Sequence, residues 1–317
     1  MIFYWLFGIF VFLIFSLFTF AYVCYRLVFH KTKQKTLGPD EYEIPKGKEY
    51  EVYRDEIVAS IKKGRSLAHE SVCIKSFDGL ILRGNYYEYR AGAPLEILFH
   101  GYRGNSERDL SAGVERCFAL GRNALIVDHR ASGESEGKTI TFGIFERRDC
   151  LSWVDFAIRR FGKDVKIILT GISMGAATVM MAVGEELPDN VVCVLADCGY
   201  SSPKEIIKKV MGDLKLPAWL FYPFVKLGAK LFGGFDLEET SAIESVKRAK
   251  VPVIFIHGEA DGFVPCDMSR SLYEACLSPK KILTVPEAGH GIAYLKDGES
   301  YLNALRDFEK ECGFLNS

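Results

Sequence analysis

Ser173 is the residue whose surroundings most clearly indicate covalent chemistry. It lies between Gly171 and Gly175, after the apolar run VKIILT and before the alanine-rich run AATVMMAV. These runs predict a strand that turns sharply into a helix. Glycine on both sides removes Cβ atoms that would clash in such a turn, and the helix N-terminus offers backbone N–H groups to developing negative charge. The pattern is typical of a serine nucleophile, although a Gly-rich turn with an incidental serine is the alternative.

A serine nucleophile needs a base and an acid that orients the base. His290 follows the last predicted strand in VPEAGHGIAY, where its glycine neighbours favour a loop that carries the imidazole toward the serine. Asp261 follows the penultimate predicted strand and is the predicted orienting acid, with Glu259 and Asp197 as alternatives. Two further histidines at strand ends are interpreted as rim residues satisfied by hydrogen bonds, namely His129 and His257.

The elements that must position these residues are short apolar runs separated by helical stretches. The runs LEILFH, ALIVDH, VKIILTG, VVCVLAD, VPVIFIHG and KKILTVPEAG are typical of strands buried on both faces. Their alternation with helical stretches predicts an α/β fold with a mostly parallel central sheet flanked by helices. Before them, SVCIKSFDGLILRGNYYEY alternates around Asp78-Gly79 and predicts a hairpin. Ligands bind beyond the carboxyl ends of parallel strands, which is where the candidate residues fall.

The N-terminal segment predicts one membrane-spanning helix. Residues 2–25 include no charged residue, and 24 helical residues would cover about 36 Å, enough to cross a hydrocarbon core of about 30 Å. A cleaved signal peptide fits less well, because no basic leading region or small-residue cleavage site is clear. A buried core helix is rarely apolar on every face over this length.

These patterns divide the chain into an anchor at residues 1–30, a polar juxtamembrane linker at 31–49 and a catalytic domain at 50–317. Arg26 and the lysines that follow the apolar run favour a single-pass membrane protein whose catalytic domain is cytoplasmic. Residues 200–249 are too long for a simple crossover and predict a helical cap insertion over the site, with extra helices that close the edge of the sheet as the alternative. Its aromatic stretch supplies the predicted substrate-binding residues Trp219, Phe221, Tyr222 and Phe224.

Composition excludes several function classes. The net charge is −1, so no basic field is available to hold nucleic acid. The nine cysteines are odd in number and scattered, which favours free thiols in a reducing compartment. No Cys/His cluster has the spacing of zinc ligands, so the sequence predicts no metal site.

Taken together, the motifs resemble the α/β-hydrolase superfamily, in which serine, acid and histidine follow in this chain order. FHGYRGN and VDHRASGESEG are similar to its loops after the third and fourth strands, and HGEADGFVP and EAGHG are similar to its acid and base loops. The similarity runs from about residue 70 to about residue 312, and within the superfamily it is to the serine aminopeptidase-like branch of esterases, lipases and peptidases. The resemblance implies these roles: Ser173 as nucleophile, Asp261 as orienting acid, His290 as base, and the backbone N–H groups of Tyr102 and Met174 as oxyanion hole.

These expectations combine into a membrane-anchored serine hydrolase that cleaves carboxylic esters, including lipid-like ones, thioesters or amides through an acyl-enzyme. The predicted partners are a small-molecule acyl substrate and the lipid bilayer, which the N-terminal helix would cross. No cofactor, nucleic acid or obligate protein partner is implied. Two alternatives stay open at this point, an acyltransferase that uses the same triad and a non-catalytic binding protein with this fold.

Overall fold

The central sheet of the computed structural model, which describes residues 1–32 and 37–313, is mostly parallel. Its strands are β1 (Glu70–Lys75), β2 (Ile81–Tyr87), β3 (Leu95–Phe99), β4 (Asn123–Val127), β5 (Ile167–Ile172), β6 (Val191–Asp197), β7 (Val253–Gly258) and β8 (Lys280–Val285). Their spatial order is β1-β2-β4-β3-β5-β6-β7-β8, and β2 pairs antiparallel with both of its neighbours while the other pairs are parallel. The predicted fold class and the predicted β1–β2 hairpin are confirmed.

Helices cover both faces of this sheet. They are α1 (Ile2–Val28), α2 (Lys48–Glu51), α3 (Arg54–Ser66), α4 (Ser106–Ala119), α5 (Glu146–Phe161), α6 (Met174–Ala182), α7 (Pro203–Asp213), α8 (Ala218–Gly228), α9 (Ala242–Val246), α10 (Cys266–Ala275), α11 (Ala293–Lys296) and α12 (Gly298–Cys312), with a π-helix at Ala229–Gly233. Successive β7 side chains enter different cores, because Phe255 belongs to the buried cluster that includes Trp153 and the next residue, Ile256, belongs to the cluster that includes Tyr301. This alternation is what a strand buried on both faces requires.

The last turns of α1 are part of the catalytic domain's core. Most of the helix is exposed, but Ala21, Tyr25 and Phe29 are buried, and Phe29 is 0% exposed. The Ile140 N–H donates to the Phe29 carbonyl at 2.7 Å, and the Tyr25 hydroxyl lies 2.7 Å from Oγ1 of Thr139. Packing therefore does not separate the anchor expected at 1–30 from the domain expected at 50–317.

The linker expected at 31–49 lies only partly within the described structure, since residues 33–36 lie outside it. Residues 43–50, here called the strap, cross the catalytic end of the sheet. A Cβ built on Gly289 would stand 3.3 Å from Cβ of Glu49, and Tyr50 is 9% exposed. The strap is thus packed on the domain immediately beside the loop that carries His290.

The insertion expected at about 200–249 is helical and lies between β6 and β7. It contains α7, α8, the π-helix and α9. Helix α8 packs against α1, and a Cβ built on Gly228 would stand 2.5 Å from the Ala21 carbonyl oxygen. The absence of a side chain at Gly228 therefore allows the two helices to approach closely.

Candidate active site

Ser173 occupies a strained position between β5 and α6. Its φ of 57° and ψ of −114° are unusual for a residue with a side chain, and strain of this kind clusters at functional sites. A Cβ built on Gly171 would stand 2.1 Å from the Gly175 carbonyl carbon, and one on Gly175 would stand 2.1 Å from the Phe99 carbonyl oxygen. Both glycines are therefore required if the turn is to hold the serine above the end of the sheet.

The structure brings the predicted nucleophile, base and acid into one chain of hydrogen bonds. Nε2 of His290 lies 2.9 Å from Oγ of Ser173, and its Nδ1 lies 2.7 Å from Oδ2 of Asp261. The other carboxylate oxygen, Oδ1, accepts the backbone N–H groups of Phe263 and Val264 at 2.9 and 2.8 Å. The imidazole is thus fixed between a carboxylate and a hydroxyl, which is the geometry for removing a proton from the serine.

Asp261 is the ionised member of this chain. Burial alone would raise the pKa of its carboxyl, but hydrogen bonds from His257 and His290 outweigh burial and hold the pKa well below its usual range. A carboxylate in contact with Nδ1 favours the tautomer whose Nε2 accepts a proton. The catalytic roles themselves stay predictions.

The two alternative acids lie elsewhere. Glu259 is exposed and accepts the hydroxyl of Thr284 at 2.7 Å. The Asp197 carboxylate accepts a hydrogen bond from the Tyr301 hydroxyl at 2.9 Å. Its contact with the serine is through the backbone, because the Asp197 carbonyl accepts the Ser173 N–H at 2.8 Å. The geometry therefore favours Asp261.

His257 is a site residue whose role the sequence did not reveal. It is fully buried, and its Nε2 lies 3.1 Å from Oδ2 of Asp261 while its Nδ1 lies 2.6 Å from Oγ of Ser269. His257 thus contacts the same carboxylate oxygen as His290 and positions the acid. It is the penultimate residue of β7 and precedes Asp261 by four residues, and this spacing was the signal that the sequence offered.

Cys198 is a second neighbour that sequence reasoning missed. Its Sγ and the ligand atoms of Asp261 and His290 lie within 4.8 Å of one another, an arrangement that resembles a metal site. Both imidazole nitrogens of His290 already face Asp261 and Ser173, however, so the triad accounts for this cluster. Burial raises the pKa of the Cys198 thiol well above its usual value, which keeps the group neutral.

The loop after β3 lies against the nucleophile. A Cβ built on Gly101 would stand 3.5 Å from Cβ of Ser173, which places the next residue, Tyr102, beside the serine. Met174 is the first residue of α6. No backbone acceptor among residues 1–32 and 37–313 pairs with the N–H of Tyr102 or Met174. Both groups are positioned to donate to a negatively charged oxygen, and their role as oxyanion hole stays a prediction.

The end of α1 holds this loop. The Tyr102 hydroxyl donates to the Val28 carbonyl at 2.7 Å, and the Arg103 guanidinium donates to the Leu27 carbonyl at 2.7 Å. The last carbonyls of a helix lack partners within the helix, so side chains that approach from outside can satisfy them. The helix predicted as an anchor therefore supports the backbone that carries the Tyr102 amide.

Ser173 and His290 open onto a cavity of about 670 Å³. One wall is formed by the strap, with Glu49 and Tyr50, and by Ile57 and Ile61 of α3. The remaining walls come from the β3 loop, α4, the acid loop and the α11–α12 region, including Leu98, Arg108, Asp109, Phe263, Ile292 and Tyr301. The size and mixed lining suit a small organic substrate.

The predicted substrate-binding residues of the cap do not line this cavity. Phe221 and Phe224 face Phe20 of α1, with ring centroids 6.0 and 4.7 Å apart. The Tyr222 hydroxyl donates to Glu238 at 2.9 Å, and Trp219 is 79% exposed. The structure thus brings these four residues to α1 and to the surface, not to Ser173, and a contact with substrate stays a prediction.

Two family models match the chain. One, described as alpha/beta hydrolase fold, matches residues 97–244 and includes Ser173. The other, described as serine hydrolase (FSH1), matches residues 221–297 and includes Asp261 and His290.

Two curated relatives are similar to more than half of this chain. Uncharacterized protein YqkD of Bacillus subtilis is 30% identical over 60% of this chain and 62% of its own length, so the match spans less than two thirds of that protein. Protein bem46 of Schizosaccharomyces pombe is 26% identical over 69% of this chain and 68% of its own.

Among solved structures, the Pyrococcus furiosus esterase Pf2001 aligns with 89% of this chain and 98% of its own, at 22% identity and a TM-score of 0.66. Est1E of Butyrivibrio proteoclasticus, solved with ferulic acid bound, aligns with 78% of this chain and 100% of its own, at 22% identity and a TM-score of 0.58. At these identities the two structures show a shared fold.

The predicted fold is thus confirmed, and both family-model matches support the predicted serine-hydrolase class, while the serine aminopeptidase-like branch stays a prediction. This chain has the α/β-hydrolase fold, and the stretches that carry Ser173, Asp261 and His290 are similar to serine hydrolases.

Proposed function

We propose that this protein is a membrane-anchored serine hydrolase that cleaves carboxylic esters of small acyl substrates. The observation that carries the proposal is the hydrogen-bond chain from Ser173 through His290 to Asp261 at the wall of a cavity. Strained backbone at the serine and an ionised, buried acid are costly features, and both are explained by catalysis.

The chemistry runs in two halves. Ser173 Oγ attacks the ester carbonyl while His290 Nε2 takes its proton, and the carbonyl oxygen becomes an oxyanion that the Tyr102 and Met174 N–H groups stabilise. His290 then returns the proton to the departing alkoxide, which leaves an acyl group on Ser173. Water attacks this acyl-enzyme with His290 as base, and the acid and free serine are released.

The cavity supports an ester with an acyl group of moderate size. Aliphatic side chains of α3 and of the strand ends, including Ile57, Ile61 and Leu98, form the apolar part of its wall. Arg108 and Asp109 lie at the same cavity, bonded to each other at 2.6 Å. We assign the acyl group to the apolar side beneath the strap, since hydrocarbon gains most by leaving water there.

Membrane anchorage is supported by α1. This helix has 27 residues, and an 18-residue stretch of it has a mean hydropathy of 2.5 and is almost entirely exposed. At 1.5 Å per residue it is about 40 Å long, enough to cross a bilayer with some tilt. Arg26, Lys31 and the lysines of the following segment assign the catalytic domain to the cytoplasmic face.

The test is hydrolysis of p-nitrophenyl esters by the detergent-solubilised full chain, together with labelling by a fluorophosphonate probe. Ser173→Ala should lose both activities while its thermal unfolding stays unchanged, with a rate loss of about 10⁴-fold or more. Ser152→Ala is the matched control, because this serine lies on α5 and bonds the Arg148 carbonyl. Wild-type protein that neither hydrolyses nor reacts would instead support a binding protein, and esters formed with added alcohols would support acyl transfer.

A further inference from the structure

Residues 214–220, which form the turn after α7 and the first residues of α8, present a concentrated apolar surface. Leu214 is 65% exposed, Leu216 is 39%, Trp219 is 79% and Leu220 is 42%. Large apolar side chains exposed singly are ordinary, but four within seven residues mark a surface that meets an apolar partner. This surface is called here the α7–α8 turn, and none of its residues lines the cavity beside Ser173.

The partner is indicated by the helix beside the turn. Phe20 of α1 contacts Phe221 and Phe224, Ala21 and Tyr25 lie over Gly228, and Tyr22 faces Phe232 at 5.1 Å. Later residues of α8 and the π-helix thus meet later residues of α1. The two helices run parallel, and the N-terminal end of α8 points along α1 toward its fully apolar part.

The depth of the turn follows from this register. Trp219 precedes Gly228 by nine residues, which is about 13 Å along the helix. The basic and aromatic end of α1, at Tyr25 and Arg26, belongs at the membrane surface if α1 spans the bilayer. The turn then lies about 10 Å beyond that surface, at the depth where interfacial helices bury their apolar face. Exposed Lys215 and Lys230 have stems long enough to return their charges to the headgroups.

We propose that the α7–α8 turn is a second membrane-binding element, which inserts into the same phospholipid leaflet as α1. The inference rests on the proposed anchorage of α1 and commits to lipid as the occupant, because the turn continues an apolar surface that α1 already presents.

Helix α7, which leads into the turn, also contacts the loop beside the cavity. Lys209 of α7 donates to the Gly262 carbonyl and lies over the ring of Phe263, which in turn packs on His290 at 5.1 Å. Insertion of the turn holds the cavity mouth near the bilayer, where lipophilic esters concentrate.

The tryptophans of the chain make a direct test practicable. The three are Trp5 in α1, Trp153 in the core at 1% exposure, and Trp219 in the turn. In full-length Trp5→Phe protein, placed in phosphatidylcholine and phosphatidylglycerol vesicles, Trp219 is the responsive fluorophore. We expect lipids brominated in their acyl chains to quench its emission strongly. The Trp5→Phe/Trp219→Phe double variant, which keeps the buried Trp153, should show little quenching.

The Trp219→Phe variant separates the two proposals, since its Trp5 reports on α1 alone. Quenching of Trp5 without quenching of Trp219 would overturn the insertion of the turn and leave the anchor standing. Quenching of neither would overturn both. A Trp219 emission that is shifted to shorter wavelength but unquenched would mean that protein, such as a second copy of this chain, covers the turn, and would also overturn the proposal.

A second variant tests whether insertion of the turn affects hydrolysis of an ester that is embedded in the membrane. Leu216→Ser/Leu220→Ser, made on the Trp5→Phe background, should lose most of the Trp219 quenching because both side chains are exposed and their replacement leaves the core intact. Its rate on a long-chain ester embedded in vesicles should fall several-fold, while its rate on a soluble short-chain ester stays unchanged. Equal rates on the embedded ester would contradict a role for the turn in substrate access.

Discussion

The strap with α3 and the cap insertion both lie at the catalytic end of the sheet, and they contact different things. Tyr50 and Ile61 lie on the cavity wall beside Ser173. The aromatic rings of the cap meet α1 instead, with Phe224 edge-on to Phe20. The difference teaches that apolar content alone does not show which segment lines the cavity beside the serine. The aromatic residues of the cap pack on an apolar helix, while the strap, which is mostly polar, lines the cavity.

The largest expected effect comes from a substitution of the predicted acid, which leaves the strap and the cap unchanged. Asp261→Asn keeps the shape of the acid but favours the wrong imidazole tautomer, so kcat should fall about 10⁴-fold. Steady-state hydrolysis of a p-nitrophenyl ester measures this loss. Glu259→Gln is the matched control, since Glu259 accepts the Thr284 hydroxyl and pairs with Arg270 at the surface, and it should change kcat little. A harmless Asp261→Asn with a crippling Glu259→Gln would show that the acid is misassigned.

Two truncations test whether the end of α1 belongs to the domain. Removal of residues 1–19 keeps Tyr25 and Phe29 in the core and should leave a folded, active protein in mild detergent. Removal of residues 1–30 deletes both rings, and each buried aromatic side chain is worth about 3–5 kcal/mol. Since domains are stable by about 5–15 kcal/mol, most of the stability should be lost. Thermal unfolding compares the two, and equal stability would mean that α1 is an independent anchor.

Matched substitutions in the strap and the cap sharpen the comparison itself. Tyr50→Ala opens the cavity wall, so kcat/KM for a bulky ester should fall about tenfold more than kcat/KM for an acetate. Phe221→Ala, in the cap, should lower thermal stability without changing the ratio between the two esters. If Phe221→Ala shifts that ratio and Tyr50→Ala does not, the cap binds substrate as its sequence predicts and the assignment of the two regions is reversed.

The smallest expected effect concerns the contact between α1 and the loop after β3, which carries Tyr102. Tyr102→Phe removes the hydrogen bond to the Val28 carbonyl and keeps the ring. A net hydrogen bond is worth about 1 kcal/mol, so kcat should fall about fivefold while KM stays unchanged, because the Tyr102 amide acts on the transition state. Tyr89→Phe is a surface control. A rise in KM with constant kcat would place the hydroxyl in substrate binding instead of positioning.

The catalytic residues could be predicted because their signals are local. Ser173 has its two glycines, its strand and its helix within residues 167–182, and Asp261 and His290 each lie in the loop that follows an apolar run. Strand–helix alternation likewise predicted the parallel sheet. His257 was missed in its role because a histidine at a strand end has several possible partners, and only the folded loop brings Asp261 back to it.

Contacts between distant segments could not be predicted from one sequence. Glu96 is a fully buried acid inside the all-buried strand β3, where the pattern predicts an apolar residue. Burial alone would raise its pKa, but Arg116 and Arg122 outweigh burial and lower the pKa to about 2. The strap wall and the last turns of α1 are similar cases, since nothing near Tyr50 or Phe29 in the sequence shows that the domain folds against them.

The central claim is that Ser173 forms the acyl-enzyme, and trapping that intermediate tests it most directly. Full-length protein is mixed rapidly with a p-nitrophenyl ester, quenched in acid and digested, and the peptides are examined by mass spectrometry. A burst of nitrophenol of about one per protein, with the acyl mass on the peptide that contains Ser173, is the predicted result. Steady hydrolysis with no acyl mass on that peptide, or an acyl group on another residue, would contradict the account.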